Sequence, residues 1–176
     1  MTVRSFPPAA GRRPRLLILG SMPGAESLRK NQYYAHPRNA FWPLMGALVG
    51  AGPDLPYPER LRKLTGAGIA LWDVLASCSR EGSLDAAILP ETETPNDVAG
   101  LILANPGINA VAFNGRKAEA AFRRHVAPRI PRERIRGILL LPLPSTSPAH
   151  AGRSFDEKLE RWKPILSRLA GPHEER

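Results

Sequence analysis

The sequence predicts an α/β fold in which a mostly parallel sheet carries helices on both of its faces. Short apolar runs of strand character alternate along the chain with segments of helical character, which is the pattern of parallel sheets. The 176 residues match the size of one ordinary domain, and a hydrophobic fraction of 43% is enough to form a core. Because ligands of such folds bind at the carboxyl ends of the strands, the loops that follow the strands are the first candidates for a site.

Four short apolar segments are predicted to be buried strands, because each has the length and composition of a strand and is flanked by turn residues. The first of them is closed by Gly20. The predicted strands span residues 15–19, 68–74, 110–113 and 138–141.

Five segments are predicted to be helices, mostly from the residues at their starts. A proline begins the second, Thr94–Asp97 caps the third, and Asn114 caps the fourth. A capping box beginning at Ser154 starts the last helix, which Pro164 should kink. The predicted helices span residues 40–49, 58–64, 94–104, 114–126 and 154–169, with loops over 20–39 and 76–94. The last helix has an apolar stripe formed by Phe155, Leu159, Trp162, Leu166 and Leu169.

Three polar loops begin where predicted strands end, at Gly20, Asn114 and Pro142. In open α/β folds the site lies at this edge of the sheet. The loop over residues 20–39 is too long for a simple connection, and long loops in compact domains are usually functional or disordered.

The chain is strongly basic, with a formal net charge of +9 and an isoelectric point near 10.6. Such a charge indicates an acidic partner, and nucleic acid is favoured over an anionic membrane or an acidic protein. A genome rich in G and C, which favours arginine and proline, is the alternative explanation. Residues 1–14 are predicted to be a flexible basic arm and residues 171–176 a short tail.

Cysteine and histidine usage excludes several classes of protein. Cys78 is the single cysteine, which excludes an internal disulfide and a four-cysteine iron–sulfur cluster. The four histidines are scattered without metal-ligand spacing, and the longest apolar runs are too short to cross a bilayer. We therefore expect a monomeric cytoplasmic protein that binds no metal, no cofactor and no membrane.

The first long loop begins with Gly20-Ser21-Met22-Pro23-Gly24, whose glycines allow the backbone to approach a ligand closely. Its spacing excludes a dinucleotide fingerprint and a nucleoside triphosphate loop, and a plain tight turn is the alternative. Residues 32–42 follow with four aromatic side chains, mixed with His, Arg and Asn. Such rings can stack on a base, and amides can position polar atoms. We predict that Phe41 stacks on a base and that Trp42 belongs to the core.

Several motifs in a fixed order resemble a known enzyme family. GSMPG at 20–24 followed by HPRNAFW at 36–42 is similar to the mismatch-specific branch of the uracil-DNA glycosylase superfamily. The fuller run GSMPG-AESL-RKNQYYAHPRNAFW resembles its hypoxanthine-DNA glycosylase family. The later motifs are GIALWDVLASCSREGSLDAAI at 68–88, FNGRKA at 113–118 and LPSTSPAH at 143–150. Each motif alone is weak, but together they are highly specific and cover residues 15–168.

The resemblance implies a three-layer α/β/α fold with a short, mostly parallel central sheet, in a single glycosylase domain over residues 15–170. It also implies a metal-free enzyme of base excision repair. Such an enzyme flips a deaminated base, most of all the hypoxanthine of deoxyinosine, out of double-stranded DNA and hydrolyses its N-glycosidic bond.

Asn39 is the residue to which the resemblance assigns the catalytic amide. Many superfamily members carry an Asn or Asp in the first motif, where this chain has Met22, and a thioether cannot activate water. If cleavage largely precedes attack, a neutral amide can still orient the water. The alternative is that Asn39 only caps the helix beginning at Ala40. Asp73, at a strand end, is a rival catalyst, although a cap or turn ligand is the favoured interpretation for it.

The other predicted site residues form two sets. Phe41, Asn114 and the backbone of Ser21 and Met22 are expected to hold the base, with a simple helix cap as the alternative for Asn114. The second set is expected to contact DNA or to hold the duplex open, and consists of Gly24, Arg80, Ser83, Ser145, Thr146, Ser147 and His150. At His150 the family pattern has Asn.

Three other functions stay open at this point. A glycosylase of uracil or mixed specificity is the first, because purine and pyrimidine pockets differ by a few contacts. A noncatalytic binder of damaged DNA is the second; the missing first-motif amide favours it and Asn39 opposes it. An enzyme of small nucleotides is the third, which the wedge-like last loop and the net charge of +9 disfavour.

Overall fold

A four-stranded parallel sheet forms the centre of the protein in the computed structural model, which describes residues 1–170. The strands are β1 (Thr2–Arg4), β2 (Leu16–Gly20), β3 (Ile69–Asp73), β4 (Leu75–Ser79), β5 (Thr94–Pro95), β6 (Ala110–Asn114) and β7 (Leu139–Leu143). The order in the central sheet is β3-β2-β6-β7. The winding therefore reverses between β2 and β6, and open α/β sheets bind their ligands at such a switch point.

Helices cover both faces of this sheet. They are α1 (Ala25–Lys30), α2 (Phe41–Val49), α3 (Tyr57–Gly66), α4 (Val98–Ala104), α5 (Arg116–His125), α6 (Arg132–Arg136), α7 (Phe155–Trp162) and α8 (Leu166–Leu169). On β2, Leu16 and Ile18 belong to the apolar cluster of α2, α3 and α7, whereas Leu17 and Leu19 belong to that of α4 and α5. Because side chains of a strand alternate between faces, β2 is buried along its whole length. The predicted three-layer α/β/α fold is confirmed.

A second, antiparallel sheet is formed by β1, β4 and β5, and the sequence analysis did not predict it. The N-terminal segment, predicted to be a loose arm, instead pairs Thr2–Arg4 with β4. It then follows the central sheet, where the Trp72 indole N–H donates to the Phe6 carbonyl at 2.9 Å and Ala9 pairs with Leu71. The prediction was wrong because its partners lie some seventy residues away in the chain. The predicted tail at 171–176 lies outside the described residues.

Both segments predicted to be loops contain regular structure. The segment 20–39 includes α1, whose first free amide, Ala25 N–H, donates to the Ser83 hydroxyl at 2.8 Å. Because this cap comes from a residue that is distant in the chain, no local sequence signal predicts the helix. The segment 76–94 includes most of β4, together with 3₁₀ turns at Asp85–Ala87 and Pro90–Thr92.

The last helix begins and breaks where the sequence predicts. The Ser154 hydroxyl accepts the Glu157 N–H at 3.2 Å, and the Glu157 carboxylate accepts the Ser154 N–H at 2.9 Å, which completes the capping box. A 3₁₀ turn over Lys163–Ile165, which contains Pro164, interrupts the helix. Two members of its predicted apolar stripe are exposed rather than packed, namely Phe155 and Leu166.

Phe41 lies in the core and not on a binding surface. Its side chain is 0% exposed and contacts Trp42 and Trp162 edge-on. Trp42 is also buried, as predicted. Phe41 begins α2 on the inner side of that helix, so the interpretation that it stacks on a base was wrong.

We predict that Phe41→Ala lowers the free energy of unfolding by about 3–5 kcal/mol, because it removes a fully buried ring and leaves a cavity. Urea denaturation followed by tryptophan fluorescence measures this change. Leu103→Ala is the control, since Leu103 is 47% exposed and its truncation should stay within about 0.5 kcal/mol. Equal stability of the two variants would show that Phe41 does not belong to the core.

Candidate active site

A cavity of about 340 Å3 opens at the carboxyl ends of the central strands. Gly20 at the end of β2 and Asn114 at the end of β6 both line it, which places it at the switch point of the sheet. Its volume lies in the range of sites for small ligands. The three loops that the sequence analysis placed at this edge all contribute to the wall, at residues 20–27, 114 and 145–150.

Gly20 leaves room for two polar groups on the cavity floor. A β-carbon on Gly20 would lie 2.5 Å from Asp73 Oδ1 and 3.0 Å from the Tyr34 hydroxyl. Any larger residue would displace one of these groups. The sequence analysis expected the glycines of this loop to let a ligand approach the backbone. At Gly20 the groups that lie close to the backbone are instead the Asp73 and Tyr34 side chains of the protein itself.

Asp73 ends β3 and is only 3% exposed, yet it lines the cavity. Within residues 1–170, its Oδ2 atom has no hydrogen-bond partner. Burial above all, and then the negative charge of Asp85, raise the pKa of the Asp73 carboxyl group to about 7, against the opposing effect of Arg80. The cap or turn role favoured from the sequence is wrong, because this carboxyl group makes no such bond in the described structure. Its proton is exchangeable near neutral pH.

A second carboxyl group, that of Asp85, also lines the cavity. The Ser21 hydroxyl donates to Asp85 Oδ1 at 2.6 Å and ties the first loop to the 3₁₀ turn that begins at Asp85. Arg80 is 3% exposed, and its Nη2 donates to the Pro23 carbonyl at 2.6 Å. The prediction that Arg80 contacts phosphate is therefore wrong, since its guanidinium group points into the protein.

The Asn39 side chain lies on the cavity wall and accepts the first amide of α2, although the N-cap residue of that helix is Ala40 and not Asn39. Its Oδ1 accepts the Phe41 N–H at 3.0 Å. An amide oxygen has two lone pairs, so one lone pair and the NH2 group are left for a ligand. The backbone is held as well, because Asn39 N–H donates to the His36 carbonyl at 2.9 Å and Ala40 N–H donates to the Thr146 carbonyl at 3.0 Å.

Asn114 is the last residue of β6 and does not cap α5, whose N-cap is Gly115 with φ 95°. Its amide instead pairs with Thr146 through two bonds of 2.9 Å. Asn114 Nδ2 donates to the Thr146 hydroxyl, and Thr146 N–H donates to Asn114 Oδ1. Thr146 is 1% exposed, so its predicted role as a DNA contact is wrong. Asn114 keeps one N–H and one lone pair for a ligand in the cavity.

Tyr34 takes the place on the cavity wall that the sequence analysis gave to Phe41. The two rings stack with centroids 4.0 Å apart and planes inclined by 24°. Phe41 lies behind and Tyr34 lines the cavity. Burial raises the pKa of the Tyr34 phenol, which is therefore neutral. Its hydroxyl group faces Asn114 and Asp73 but makes no hydrogen bond of good geometry in the described structure.

The other residues predicted to bind DNA or base all line the cavity: Met22, Gly24, Ser83, Ser145, Ser147 and His150. Met22 is buried, and its thioether packs in the core, whereas Ser83 and His150 are exposed. The last loop is braced internally, because the Ser145 hydroxyl accepts the Ser147 N–H at 3.2 Å and the Ser147 hydroxyl accepts the Ala149 N–H at 3.3 Å.

Among the cavity residues that the sequence analysis did not assign to the site are Tyr34, His36 and Asp85. Tyr34 and His36 belong to the aromatic run that was singled out, but nothing in the run tells which ring faces the cavity. Tyr34 adopts a left-handed backbone conformation with φ 53°, which no sequence signal predicts. The His36 Nδ1 atom accepts the Arg38 N–H at 3.1 Å, which assigns the proton of the neutral ring to Nε2.

Within residues 1–170, no group of three or more His, Cys, Asp or Glu side chains is arranged to hold a metal ion. Cys78 is buried, as expected of a packed thiol. Among the helices that the structure describes, none combines the length and apolar composition that a membrane span requires.

Comparison with known proteins gives consistent results. Residues 7–166 match the family described as the uracil DNA glycosylase superfamily. The chain is 44% identical to a protein named Hypoxanthine DNA glycosylase from Methanosarcina acetivorans, over 119 residues that are 67% of this chain and 74% of the relative. A protein of the same name from Methanosarcina barkeri is 40% identical over the same shares. The solution NMR structure of a candidate uracil DNA glycosylase from Methanosarcina acetivorans matches 96% of this chain and 99% of its own, with a TM-score of 0.78 and 36% identity.

Proposed function

The chain belongs to the uracil DNA glycosylase superfamily and is a DNA glycosylase, and we propose that it excises hypoxanthine from deoxyinosine in double-stranded DNA. The observation that carries this proposal is the cavity at the switch point, whose wall combines a braced amide, an aromatic ring and a base-reading amide. The names of the two Methanosarcina relatives support hypoxanthine as the base. The products are the free base and an abasic site.

Asn39 is suited to position the water that attacks the sugar. Cleavage of an N-glycosidic bond passes through a cationic, oxocarbenium-like sugar, and a water that meets such a cation needs orientation more than deprotonation. The Phe41 N–H fixes Asn39 Oδ1 at 3.0 Å, and the second lone pair of that oxygen is free to accept a hydrogen bond from water. The cap and the catalytic role are therefore compatible, because they use different lone pairs.

Tyr34 is suited to support the flipped base. Phe41 holds one face of the Tyr34 ring at a centroid distance of 4.0 Å, so the ring that lines the cavity is rigid. Stacking of a base on such a ring is favourable whatever the base. Asn114, held by Thr146 through two hydrogen bonds, then presents its remaining N–H and lone pair to the edge of the base. The backbone of Ser21 and Met22 completes the base-binding wall.

The exposed side of the cavity is suited to a DNA backbone. Ser83 and His150 are exposed there, half-buried Ser145 and Ser147 lie on the same wall, and the braced turns stiffen the last loop. The net charge of +9 adds a long-range attraction to phosphate. Duplex DNA that carries a deaminated base is therefore the proposed partner.

Uracil is the second candidate base, favoured by the family description and by the name of the structural neighbour. Hypoxanthine and uracil both present a ring N–H beside a carbonyl oxygen. The side-chain amide of Asn114 can form hydrogen bonds with that edge of either base. The position of Asn39 on the cavity wall opposes a purely noncatalytic binder of damaged DNA.

An excision panel tests the function. Duplexes that contain deoxyinosine, deoxyuridine, deoxyxanthosine or a mismatched thymine are incubated with excess enzyme, and abasic sites are converted to strand breaks with alkali. We expect deoxyinosine to be cleaved fastest. EDTA should leave the rates unchanged, since no metal takes part in the proposed reaction. Faster cleavage of the deoxyuridine duplex would show that uracil is the preferred base. Failure to cleave any of the duplexes would refute the proposed function.

Asn39→Ala should lower the single-turnover rate of deoxyinosine excision by about 10²–10⁴-fold, the usual effect of losing a positioned catalytic group. Asn39→Ser is the matched control for the helix cap, because serine can also accept the Phe41 N–H but is too short to hold the same water. We expect both variants to bind DNA and both to lose activity. A folded Asn39→Ser protein with a near wild-type rate would reduce Asn39 to a cap.

Tyr34→Ala should lower the excision rate by roughly 5- to 150-fold, which corresponds to the loss of about 1–3 kcal/mol of stacking on the base. Tyr34→Phe keeps the ring and should retain most of the activity. Circular dichroism checks that both variants fold. If Tyr34→Ala excises deoxyinosine as fast as Tyr34→Phe, the ring does not support the base.

A further inference from the structure

We propose that the buried carboxyl group of Asp73 is neutral in the active enzyme and donates its proton to the base as it leaves. This inference rests on the proposed function and adds a catalytic residue to it. Asn39 is proposed to orient the water that attacks the sugar. The negative charge that develops on the leaving base requires a separate group to stabilise it.

The position of Asp73 fits this role. It ends β3 on the cavity floor, directly beside Gly20, where only the absence of a side chain leaves it space. Asp73 is 3% exposed, and neither of its carboxyl oxygens makes a hydrogen bond among the described residues. Oδ2 is fully enclosed, so Oδ1, the oxygen nearest Gly20, is the one left for a ligand. A buried carboxyl group without a partner is costly unless a ligand satisfies it. A base in the cavity supplies the acceptor that the protein does not.

The surroundings of Asp73 favour its neutral form. Burial is the largest effect, and the negative charge of Asp85 adds to it. The neighbouring phenols of Tyr33 and Tyr34 are neutral, because burial raises the pKa of each. Arg80 is the opposing positive charge, but it forms no salt bridge with Asp73 in the described structure and donates instead to a backbone carbonyl. The carboxyl group of Asp85 differs in its contacts, since its Oδ1 accepts the Ser21 hydroxyl at 2.6 Å.

The proton balance is complete without a further reagent. As the glycosidic bond breaks, its electron pair passes to the base, and the O–H bond of Asp73 breaks to form a new bond to an acceptor atom of that base. The water oriented by Asn39 adds its oxygen to the sugar carbon and releases one proton to solvent. The Asp73 carboxylate recovers one proton from solvent after the base has left.

Two histidines on the cavity wall are the competing proton sources. His36 and His150 both line the cavity, and His150 is exposed. The His36 Nδ1 atom already accepts a backbone N–H, so its Nε2 would have to donate. If a histidine were the proton donor, excision would persist when Asp73 is replaced, which separates the two explanations.

The test is the pH profile of single-turnover excision of the best base in the panel, by wild type, Asp73→Asn and Asp85→Asn. The wild-type rate should fall as pH rises through about 7. Asp73→Asn has the same shape but no proton to give, so its rate should be about 10²–10⁴-fold lower at pH 6 and should not fall at higher pH. Asp85→Asn should keep the fall and move it to lower pH, because a negative charge that raises the pKa of Asp73 is gone. A wild-type profile in Asp73→Asn would overturn the proposal in favour of a histidine or solvent.

A readout independent of activity separates this inference from the proposed function. The pKa of the Asp73 carboxyl group rises from 3.8 to about 7 on folding, so the folded state retains a proton that the unfolded state releases between these values. Wild-type stability therefore falls as pH increases through that window, and Asp73→Asn lacks this loss. The Tm of Asp73→Asn relative to wild type should rise between about pH 4 and 7 and then level off. A constant difference would overturn the neutral form of Asp73, even if the wild type excised none of the bases.

Discussion

Two hydrogen bonds between Asn114 and Thr146 hold together the edge of the sheet on which the cavity depends. Asn114 ends β6 and Thr146 follows β7, and the Thr146 carbonyl accepts the Ala40 N–H at 3.0 Å, next to Asn39. One buried threonine therefore connects the amide proposed to read the base with the amide proposed to orient the water. Breaking the pair would leave buried polar groups without partners, which is far more costly than the net stability that a hydrogen bond contributes.

The molecule is basic overall, but acidic side chains line its cavity. The chain carries a net charge of +9, whereas the carboxyl groups of Asp73 and Asp85 line the cavity. The surface attracts a polyanion, but two ionised carboxylates on the floor would repel a departing base as it gains negative charge. Neutralising one of them removes that conflict. Asp85 accepts a hydrogen bond from Ser21, whereas the Asp73 carboxyl group has no such partner among the described residues, so the two carboxyl groups have different environments.

Local patterns in the sequence predicted the central sheet, the switch-point loops and the capping box at Ser154, because each depends on residues close together in the chain. They failed where the deciding partner is distant. The strand at Thr2–Arg4 forms because β4 lies beside it, and α1 forms with a cap from Ser83. Tyr34 and Phe41 could not be told apart as cavity and core rings, because the two rings stack on each other and no local signal predicts the left-handed backbone at Tyr34.

A glycosylase that uses no metal needs one group to orient water and another to neutralise the leaving base, and the two tasks require opposite properties. An amide such as Asn39 does not titrate, so it can hold water at any pH. A proton donor must titrate near the working pH, which requires burial without a cation in direct ion pairing. Arg80 is the cation whose pairing with Asp73 would remove this property. Its Nη2 donates instead to the Pro23 carbonyl, and no salt bridge joins it to Asp73 in the described structure. The arginine that the sequence assigned to DNA is therefore buried, and its charge only partly opposes the rise in the pKa of Asp73.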